Sequence, residues 1–241
     1  MKILLDGALS DYAIERFYLK YFNSNSAVKA EIFAAQNIFL KYYRKNIFNK
    51  IIFRLGYKKI YRKINIELKS KISSFNPSVI LVFKGMEVFP ETLLWAKENG
   101  FFLVNYNPDN PFIFTGRGSG NENVTNSIGL YHLHFTYNRD IQREIIQKFN
   151  IQTEYLPFAF DISEDLFQSC KKQIETNKVC FLGNPDRQRA KFINSLLTKG
   201  IPIDVYGHQW ENFVTHPLCT TNTAVFGDEY WKTLSRYRVQ L

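Results

Sequence analysis

The stretch SVILVFKGMEVFPETLLWAKENGFFLVNY, residues 78–106, predicts a strand, a helix and a second strand. Its apolar runs at 78–83 and 101–106 are typical of strands that are covered on both faces. Pro90 suits the first turn of a helix, and Gly100 suits the residue just beyond its end. A strand, a crossover helix and another strand indicate a parallel sheet of an α/β protein.

The same alternation continues in both directions from this stretch. Further strands are predicted at 2–5, 131–137, 178–182, 202–206, 225–226 and 239–241, with helices at 10–22, 139–149, 186–199 and 228–237. Ser10 is the predicted N-cap of the first helix. Residues 27–73 predict a long helical stretch with a break near Gly56, and the polar residues 116–126 are typical of a mobile loop.

Residues 159–177 show no clear periodicity and are predicted to be a linker between two domains. The expected organisation is an N-terminal Rossmann-like domain at 1–158 and the beginning of a second one at 178–241. Residues 154–157 are expected to close the first of these domains.

Composition excludes several classes of protein. Hydrophobic residues make up 45% of the 241 residues, enough for a substantial core, and the charged fraction of 22% is ordinary. Three cysteines without a C-x-x-C pair argue against a disulfide framework and a cysteine zinc site. The N-terminus lacks the pattern of a signal peptide, and no apolar run approaches the ~20 residues of a membrane span. We therefore expect a cytoplasmic protein, or one peripheral on the inner membrane face.

No metal site is expected. His132 and His134 alternate along a predicted strand and share one face of it. A metal pair needs further ligands nearby, and the sequence provides no cluster of His, Cys or Asp there.

The positive charge is concentrated in residues 41–71, which contain eleven Lys or Arg residues and a single acid, Glu67. The whole chain has a net charge of +9, so the remainder is close to neutral. Aromatic residues lie between these cations. Such a segment can meet an anionic membrane or acidic partner, bind nucleic acid, or form core-facing helices with a solvated basic face. For the membrane or acidic partner, the predicted contacts are Arg44, Lys45, Lys58, Lys59, Arg62 and Lys63.

Two candidate catalytic residues follow predicted strands, where open parallel sheets bind their ligands. Asp109 lies in a loop between two prolines and can act as a general base toward an acceptor hydroxyl. It can equally be a turn aspartate that bonds its own backbone. Lys84 can meet a phosphate or an acidic acceptor, or it can be a lysine with a buried stem and a solvated ammonium.

The turn after the strand at 178–182 is a candidate phosphate site. Gly183 and Asn184 precede a predicted helix N-terminus, where free N–H groups favour an anion. Arg187 and Arg189 add positive charge. The alternative is an ordinary strand-to-helix turn with two solvated arginines. Neither the dinucleotide fingerprint G-x-G-x-x-G nor a P-loop sequence occurs here.

An ordered series of sequence blocks resembles the CgeB-like (spore maturation protein-like) glycosyltransferases, a GT-B group related to glycosyltransferase family 1. The blocks are VILVFKG at 79–85, PETLLWAKENG at 90–100, VNYNPDNPF at 104–112, HFTYNRD at 134–140, EYLPFAFD at 154–161, VCFLGNPDRQRAKFINSLLTKGIPIDVYGHQW at 179–210 and VFGDEYWKTLSRYRVQL at 225–241. The similarity covers about residues 78–241, while residues 1–75 match less well beyond the opening strand.

This resemblance implies two Rossmann-like domains, with the acceptor bound mainly to the first and a nucleotide-sugar donor to the second. It implies no cofactor and no essential metal. Gly183, Asn184 and Arg189 would lie near the donor phosphates, and Tyr206 and Gly207 near the nucleotide. Asp109 would face the acceptor side with Lys84 beside it.

The resemblance also implies a truncated second domain, because family members continue past the equivalent of Leu241 with a segment that binds the donor. The expected function is transfer of a sugar to a cell-surface, lipid-linked or protein acceptor. The alternative is a catalytically incomplete short form that acts as a binding or membrane-docking module. The sequence favours nucleic-acid binding least.

Overall fold

The computed structural model describes residues 1–114, 116 and 118–241. The chain divides into two compact units, Met1–Ala159 and Phe160–Leu241. Each unit is built on one parallel sheet, as predicted for an α/β protein. The second unit, with 82 residues against 159, is the smaller one.

Unit 1 contains six strands and seven α-helices within its described residues. The strands are β1 (Lys2–Asp6), β2 (Lys29–Phe33), β3 (Val79–Phe83), β4 (Phe102–Asn107), β5 (Leu133–Thr136) and β6 (Gln152–Tyr155). The helices are α1 (Ile14–Ser24), α2 (Ala35–Lys45), α3 (Ile47–Arg54), α4 (Lys59–Phe75), α5 (Pro90–Glu98), α6 (Glu122–Ser127) and α7 (Arg139–Phe149), with a 3₁₀ turn at Ile128–Leu130.

The order of the strands creates a crevice in unit 1. The sheet runs β2-β1-β3-β4-β5-β6 with every pair parallel. The chain first moves from β1 to β2 and then returns to place β3 on the other side of β1. Such a reversal opens a crevice at the carboxyl ends of the two strands concerned, where open α/β sheets bind ligands.

Hydrophobic side chains cover both faces of this sheet. Leu4 and Val82 point to the face that packs against α4 and α5 through Leu68 and Leu93. Their neighbours along the strands point to the opposite face, where α1 packs. This two-sided burial explains why β3 and β4 are continuous apolar runs.

Unit 2 has a four-stranded parallel sheet in the order β10-β7-β8-β9. Its described elements are α8 (Glu164–Cys170), β7 (Thr176–Leu182), α9 (Arg187–Leu197), β8 (Ile203–Tyr206), β9 (Cys219–Asn222), α10 (Gly227–Leu234) and β10 (Tyr237–Gln240), with a 3₁₀ turn at Trp210–Asn212. Its core packs α9 against the sheet around Trp210, which is fully buried.

The structure confirms most predicted elements and corrects three details of unit 1. Strand β2 lies within the predicted helical stretch 27–73, although the break at Gly56 is correct and that glycine has φ 88°. Ser10 does not cap α1, which begins after Ala13 without a side-chain cap. The predicted loop 116–126 includes Arg117, which lies outside the described residues, and its last part belongs to α6.

In unit 2 the predicted strand at 225–226 is wrong, because these residues lie in an irregular segment just before α10. Strand β9 occurs instead, six residues earlier. The segment 159–177, predicted as a linker, contains α8 and the start of β7. Among the described residues, no helix is long and apolar enough to cross a membrane.

Candidate functional site

The crevice between β1 and β3 contains a pocket of about 200 Å³. We call it the switch-point pocket. Residues from the loops that follow β1, β3 and β4 line it, among them Gly7, Lys84, Glu87 and Pro108, together with Glu15 at the start of α1. The pocket therefore lies where the topology of the sheet predicts a ligand site.

Glu15 is fixed at the pocket by the loop that follows β1. The backbone N–H of Ala8 donates a hydrogen bond of 2.7 Å to Glu15 Oε1. Gly7 makes this approach possible, because a Cβ at that position would lie 2.2 Å from the same oxygen. The carboxyl group of Glu15 is thus held in one place by the backbone.

Three buried carboxyl groups gather at this edge of the sheet: Asp6, Glu15 and Glu87. Burial, followed by the charges of Glu87 and Glu15, raises the pKa of Asp6 well above its usual range. Burial is also the main cause that raises the pKa of Glu15 and brings the pKa of Glu87 to about 7. Glu87 therefore exchanges a proton near neutral pH, as a general acid or base must.

The backbone at the end of β3 turns through two left-handed residues, Lys84 with φ 58° and Gly85 with φ 91°. A Cβ on Gly85 would lie 3.2 Å from the Tyr131 hydroxyl oxygen, in a conformation that side chains rarely adopt. This turn directs Lys84 Nζ to Asp109 Oδ2 at 2.5 Å and to the Gly118 carbonyl oxygen at 2.7 Å. The two predicted catalytic residues are thus brought together as an ion pair.

Three asparagine side chains fix the segment 86–89, which carries Glu87. Asn65 Nδ2 donates to the Glu87 carbonyl at 2.8 Å, and its Oδ1 accepts from Phe89 N–H at 2.9 Å. Asn121 and Asn123 both donate to the Met86 carbonyl, at 2.9 and 2.8 Å. Their bonds hold Glu87 in the pocket although it lies beyond the strand.

We expect Asn65→Ala to lower the free energy of unfolding by about 2 kcal/mol, because it leaves two backbone groups of the pocket without partners. Chemical denaturation measures the loss. Asn99→Ala is the matched control, since Asn99 bonds a helical carbonyl in an exposed place, and it should change stability by less than about 0.5 kcal/mol. Equal losses in the two variants would contradict the role given to Asn65.

Within the described part of this loop, the Asp109 carboxylate makes no hydrogen bond to its own backbone. Its N–H donates to Asn107 Oδ1 at 2.9 Å, and its carboxylate meets Lys84. The sequence-based search missed Asp6, Glu15 and Glu87 as site residues. All three acids end β1 or follow β1 or β3 in the sequence, which is the one signal that could have indicated them. Their burial and raised pKa values depend on tertiary packing.

The two histidines that were considered for a metal site differ in their surroundings. His132 Nδ1 accepts a hydrogen bond from Leu103 N–H at 3.0 Å. His134 is buried without a hydrogen-bond partner among the described residues, and desolvation lowers its pKa to about 4. Within the part of the chain that the structure describes, no group of three or more His, Cys, Asp or Glu residues is placed to hold a metal ion.

In unit 2, the turn after β7 packs tightly on the turn after β8. Trp210 Nε1 donates to the Gly183 carbonyl at 2.7 Å, and His208 N–H donates to Asn184 Oδ1 at 2.9 Å. Gly207 permits this approach, because a Cβ there would lie 2.3 Å from the Gly183 oxygen. The predicted donor residues Gly183, Asn184 and Gly207 are therefore neighbours. We call this arrangement the paired turns.

Arg189 folds back over the first of the paired turns. Its Nη1 donates to the Asn184 carbonyl at 3.0 Å, and its Nε lies 3.4 Å from Asp186 Oδ2. Asp186 is the N-cap of α9 and accepts from the Arg189 N–H at 2.8 Å. Arg187 is exposed at the same helix start. The turn thus presents two guanidinium groups, although Asp186 already occupies part of the helix N-terminus.

The side chain of Tyr206 belongs to a different network. Its hydroxyl lies 2.8 Å from that of Tyr237, which donates to Asp204 at 2.7 Å. Burial raises the pKa of Asp204, but hydrogen bonds from Lys178, Tyr237 and Thr220 outweigh it and the pKa is lowered. The hydroxyl of Tyr206 is thus engaged in this network, and its contact with the paired turns is its backbone carbonyl, which accepts from the Gly183 N–H at 2.8 Å.

Comparisons with known proteins identify the fold. No family model and no curated protein matches the chain. Among solved structures, the UDP-GlcNAc 2-epimerase from Methanocaldococcus jannaschii is similar at 8% identity and a TM-score of 0.61, over 100% of this chain and 78% of that one. The S. aureus MnaA–UDP co-structure aligns at 11% identity and a TM-score of 0.63, over 99% and 73%. UGT73P12 from Glycyrrhiza uralensis aligns at 8% and 0.51, over 100% and 68%.

The chain has the GT-B fold. Its two parallel sheets, of six and four strands, correspond to the pair of Rossmann-like domains of that fold. The likeness to these structures confirms the predicted architecture.

Proposed function

We propose that this protein is a GT-B enzyme acting on a nucleotide-sugar, and that it transfers the sugar to a cell-surface, lipid-linked or protein acceptor. The observation that carries the proposal is the switch-point pocket, where Glu87 has a pKa of about 7 within a GT-B fold. The ordered sequence blocks at 79–241 support the narrower proposal of a CgeB-like glycosyltransferase.

Two kinds of observation support a nucleotide-sugar as the donor. Several proteins of similar structure are described as complexes with such molecules: the Neisseria meningitidis epimerase with UDP-GlcNAc, MnaA with UDP, and UGT89C1 with UDP-L-rhamnose. In this chain, the paired turns offer a glycine, a helix start and two arginines to a diphosphate. We propose Gly183, Asn184, Arg187 and Arg189 as phosphate contacts, with the backbone of Tyr206 and Gly207 beside the nucleotide.

In the proposed reaction, the acceptor hydroxyl oxygen forms a bond to the anomeric carbon while the bond from that carbon to the diphosphate breaks. The hydroxyl proton passes to the Glu87 carboxylate, and the leaving diphosphate keeps the electron pair. Lys84 orients the acceptor from the pocket wall. Asp109, a candidate base from the sequence, is proposed to hold Lys84 through their ion pair. No metal or other cofactor is included in this proposal.

A sugar-nucleotide epimerase is the second candidate. The observation that favours it is the presence of two carboxyl groups with raised pKa values in the lining of one pocket, Glu15 and Glu87, since epimerisation needs a group to remove a proton and another to return it. Product analysis separates the two candidates. An epimerase changes the sugar of the UDP-sugar without an acceptor, whereas a transferase releases UDP only as the acceptor is glycosylated.

A non-catalytic module remains the alternative from outside enzyme chemistry. In that case the basic segment 41–71 docks the protein on an acidic partner or membrane, and the pocket performs no turnover. Turnover of any nucleotide-sugar by the 241-residue chain that Glu87→Gln lowers at least about 100-fold would exclude this alternative.

We expect Arg189→Ala to weaken the binding of UDP and its sugars roughly 10- to 100-fold, because a charge-assisted contact to the diphosphate is lost. Titration calorimetry measures the change. Lys191→Ala is the control, since Lys191 is an exposed cation further along the same helix. Unchanged affinity in Arg189→Ala, or an equal loss in Lys191→Ala, would remove the assignment of the phosphate site.

A further inference from the structure

Helix α3 exposes a continuous apolar surface, which we call the docking face. It consists of Ile47, Phe48, Ile51 and Ile52 of the helix and of Leu55, its C-cap, and each of these side chains is exposed. Phe48 and Leu55 are each 70% accessible. At about 100° of rotation per residue, the five positions span an arc of about 140° on one side of the helix.

The core-facing side of α3 is the opposite one. The Phe53 ring lies 4.8 Å from the ring of Phe39 and 5.2 Å from that of Tyr61, measured between centroids. Asn49 Nδ2 donates to the Tyr42 carbonyl at 2.8 Å on the same side. Because these contacts fix the rotation of α3, its larger apolar side points to solvent.

Cations surround the docking face. They come from the end of α2, from α3 itself and from the start of α4: Arg44, Lys45, Lys50, Arg54 and Lys59. No acidic residue occurs between Glu31 and Glu67. An apolar centre with a cationic rim matches the interface of a bilayer that carries anionic headgroups.

The rim argues against other occupants of the docking face. A second copy of the chain would bring two cationic rims together, which repel each other. Nucleic acid would meet the cations but would leave the aliphatic side chains Ile47, Ile51 and Leu55 without a matching surface. An anionic lipid surface satisfies both the apolar centre and the charges.

We propose that the docking face inserts its apolar side chains into an anionic lipid bilayer while the surrounding cations contact the headgroups. This deepens the proposed membrane contact of segment 41–71 by naming the helix and side chains that enter the lipid. It does not depend on sugar transfer, since vesicle binding is measured without nucleotide. Of the predicted contacts, the proposal uses Arg44, Lys45 and Lys59. Lys63 is paired with Glu67 at 3.7 Å, and Lys58 and Arg62 line a separate groove against α5 and α6.

The test is co-sedimentation of the 241-residue chain with vesicles of phosphatidylcholine, with and without phosphatidylglycerol. We expect binding to the anionic vesicles that weakens as salt is raised and is at least tenfold weaker to the neutral ones. The double variant with Phe48→Ser and Leu55→Ser should lose at least tenfold in affinity. Ile174→Ser is the control, because Ile174 is 87% accessible but belongs to unit 2. It should bind as the parent chain does.

A second measurement places the helix in the lipid directly. The indole of a Phe48→Trp variant should show blue-shifted emission and quenching by brominated lipid chains on binding, and circular dichroism verifies that each variant is folded. The proposal is overturned by absence of binding to anionic vesicles, by equal losses in the serine variants and Ile174→Ser, or by an indole in Phe48→Trp that brominated lipid does not quench. It is also overturned if light scattering shows that the parent chain is a dimer and that the Phe48→Ser, Leu55→Ser variant is a monomer. A variant that loses binding to oligonucleotides but keeps its binding to anionic vesicles would overturn it as well.

Discussion

Glu87→Gln lowers the turnover of the nucleotide-sugar about 100- to 10,000-fold while donor affinity stays within about threefold, as expected for the loss of a general base. The substitution keeps the shape of the side chain but removes the group that accepts the acceptor proton. Turnover is followed by the release of UDP. Glu98→Gln, at an exposed position of α5, is the control and should retain full activity.

The pH dependence of turnover provides a sharper readout. A general base acts only when it is ionised, so activity of the parent protein should rise as pH increases through about 7, the pKa of Glu87. The residual activity of Glu87→Gln should lack this rise. If Glu87→Gln keeps the parental rate and the same rise of turnover with pH, Glu87 takes no part in the reaction.

The stability of Glu87→Gln, compared with that of the parent protein, tests the pKa of Glu87 without any substrate. Burial raises the pKa of Glu87 from 4.5 to about 7, so between these values the folded protein holds a proton that the unfolded chain has released. This contribution is fully present below pH 4.5 and is lost as pH rises through about 7. Relative to Glu87→Gln, the free energy of unfolding of the parent protein should therefore fall by about 3 kcal/mol over this window.

Denaturant titrations at pH 4.5 and 8 measure that difference, and Glu98→Gln serves again as control, because its stability should follow that of the parent protein. A constant difference between the parent protein and Glu87→Gln across the window would show that Glu87 ionises with its ordinary pKa. The pocket would then lose its proposed base, although the fold would be unaffected.

Trp210→Ala lowers the stability of unit 2 by about 3–5 kcal/mol, the usual cost of removing a fully buried large aromatic side chain. Trp210 is 0% accessible and packs edge-on against Phe181 with 5.5 Å between ring centroids. Its loss also leaves the Gly183 carbonyl without the bond from Nε1. Because this bond joins the paired turns, donor affinity should decrease together with stability.

Chemical denaturation followed by the circular dichroism signal measures this loss. Phe192→Ala is the matched control on α9, where the ring is half exposed, and should cost no more than about 1 kcal/mol. A Trp210→Ala protein as stable as the Phe192→Ala protein would contradict the account of the unit 2 core. If the Trp210→Ala protein is destabilised but folded and binds the donor normally, the donor does not bind at the paired turns.

The strands that the sequence predicted well are those buried on both faces, β3 and β4, because two-sided burial requires an unbroken apolar run. Strand β2 was missed for the opposite reason. It lies at the edge of the sheet, where Lys29 and Glu31 remain partly exposed, so its residues carry no continuous apolar signal. Its strand conformation comes from pairing with β1, a contact distant in sequence.

The candidate site was predictable only in part. The rule that ligands bind at the carboxyl ends of parallel strands led to Lys84 and Asp109, and the structure brings them together. The same rule did not lead to Glu87, since it lies four residues beyond β3 and is positioned by Asn65, whose side chain comes from α4. A raised pKa depends on burial, which the local sequence does not encode.

The docking face shows a third limit of sequence analysis. Apolar spacing at Ile47, Ile51, Ile52 and Leu55 predicts a helix with an apolar side, but periodicity does not tell whether that side faces the core or the solvent. The direction is decided by the contacts of Phe53 with Phe39 and Tyr61. This information exists only in the folded protein.

The central claim is that this GT-B protein acts on a nucleotide-sugar, and titration calorimetry tests it most directly. UDP, GDP and their sugars are titrated into the 241-residue chain and into the longest natural protein that contains it. We predict one site for UDP and UDP-sugars that Arg189→Ala weakens and Lys191→Ala leaves unchanged. Absence of binding for every nucleotide and nucleotide-sugar in both proteins would contradict the claim.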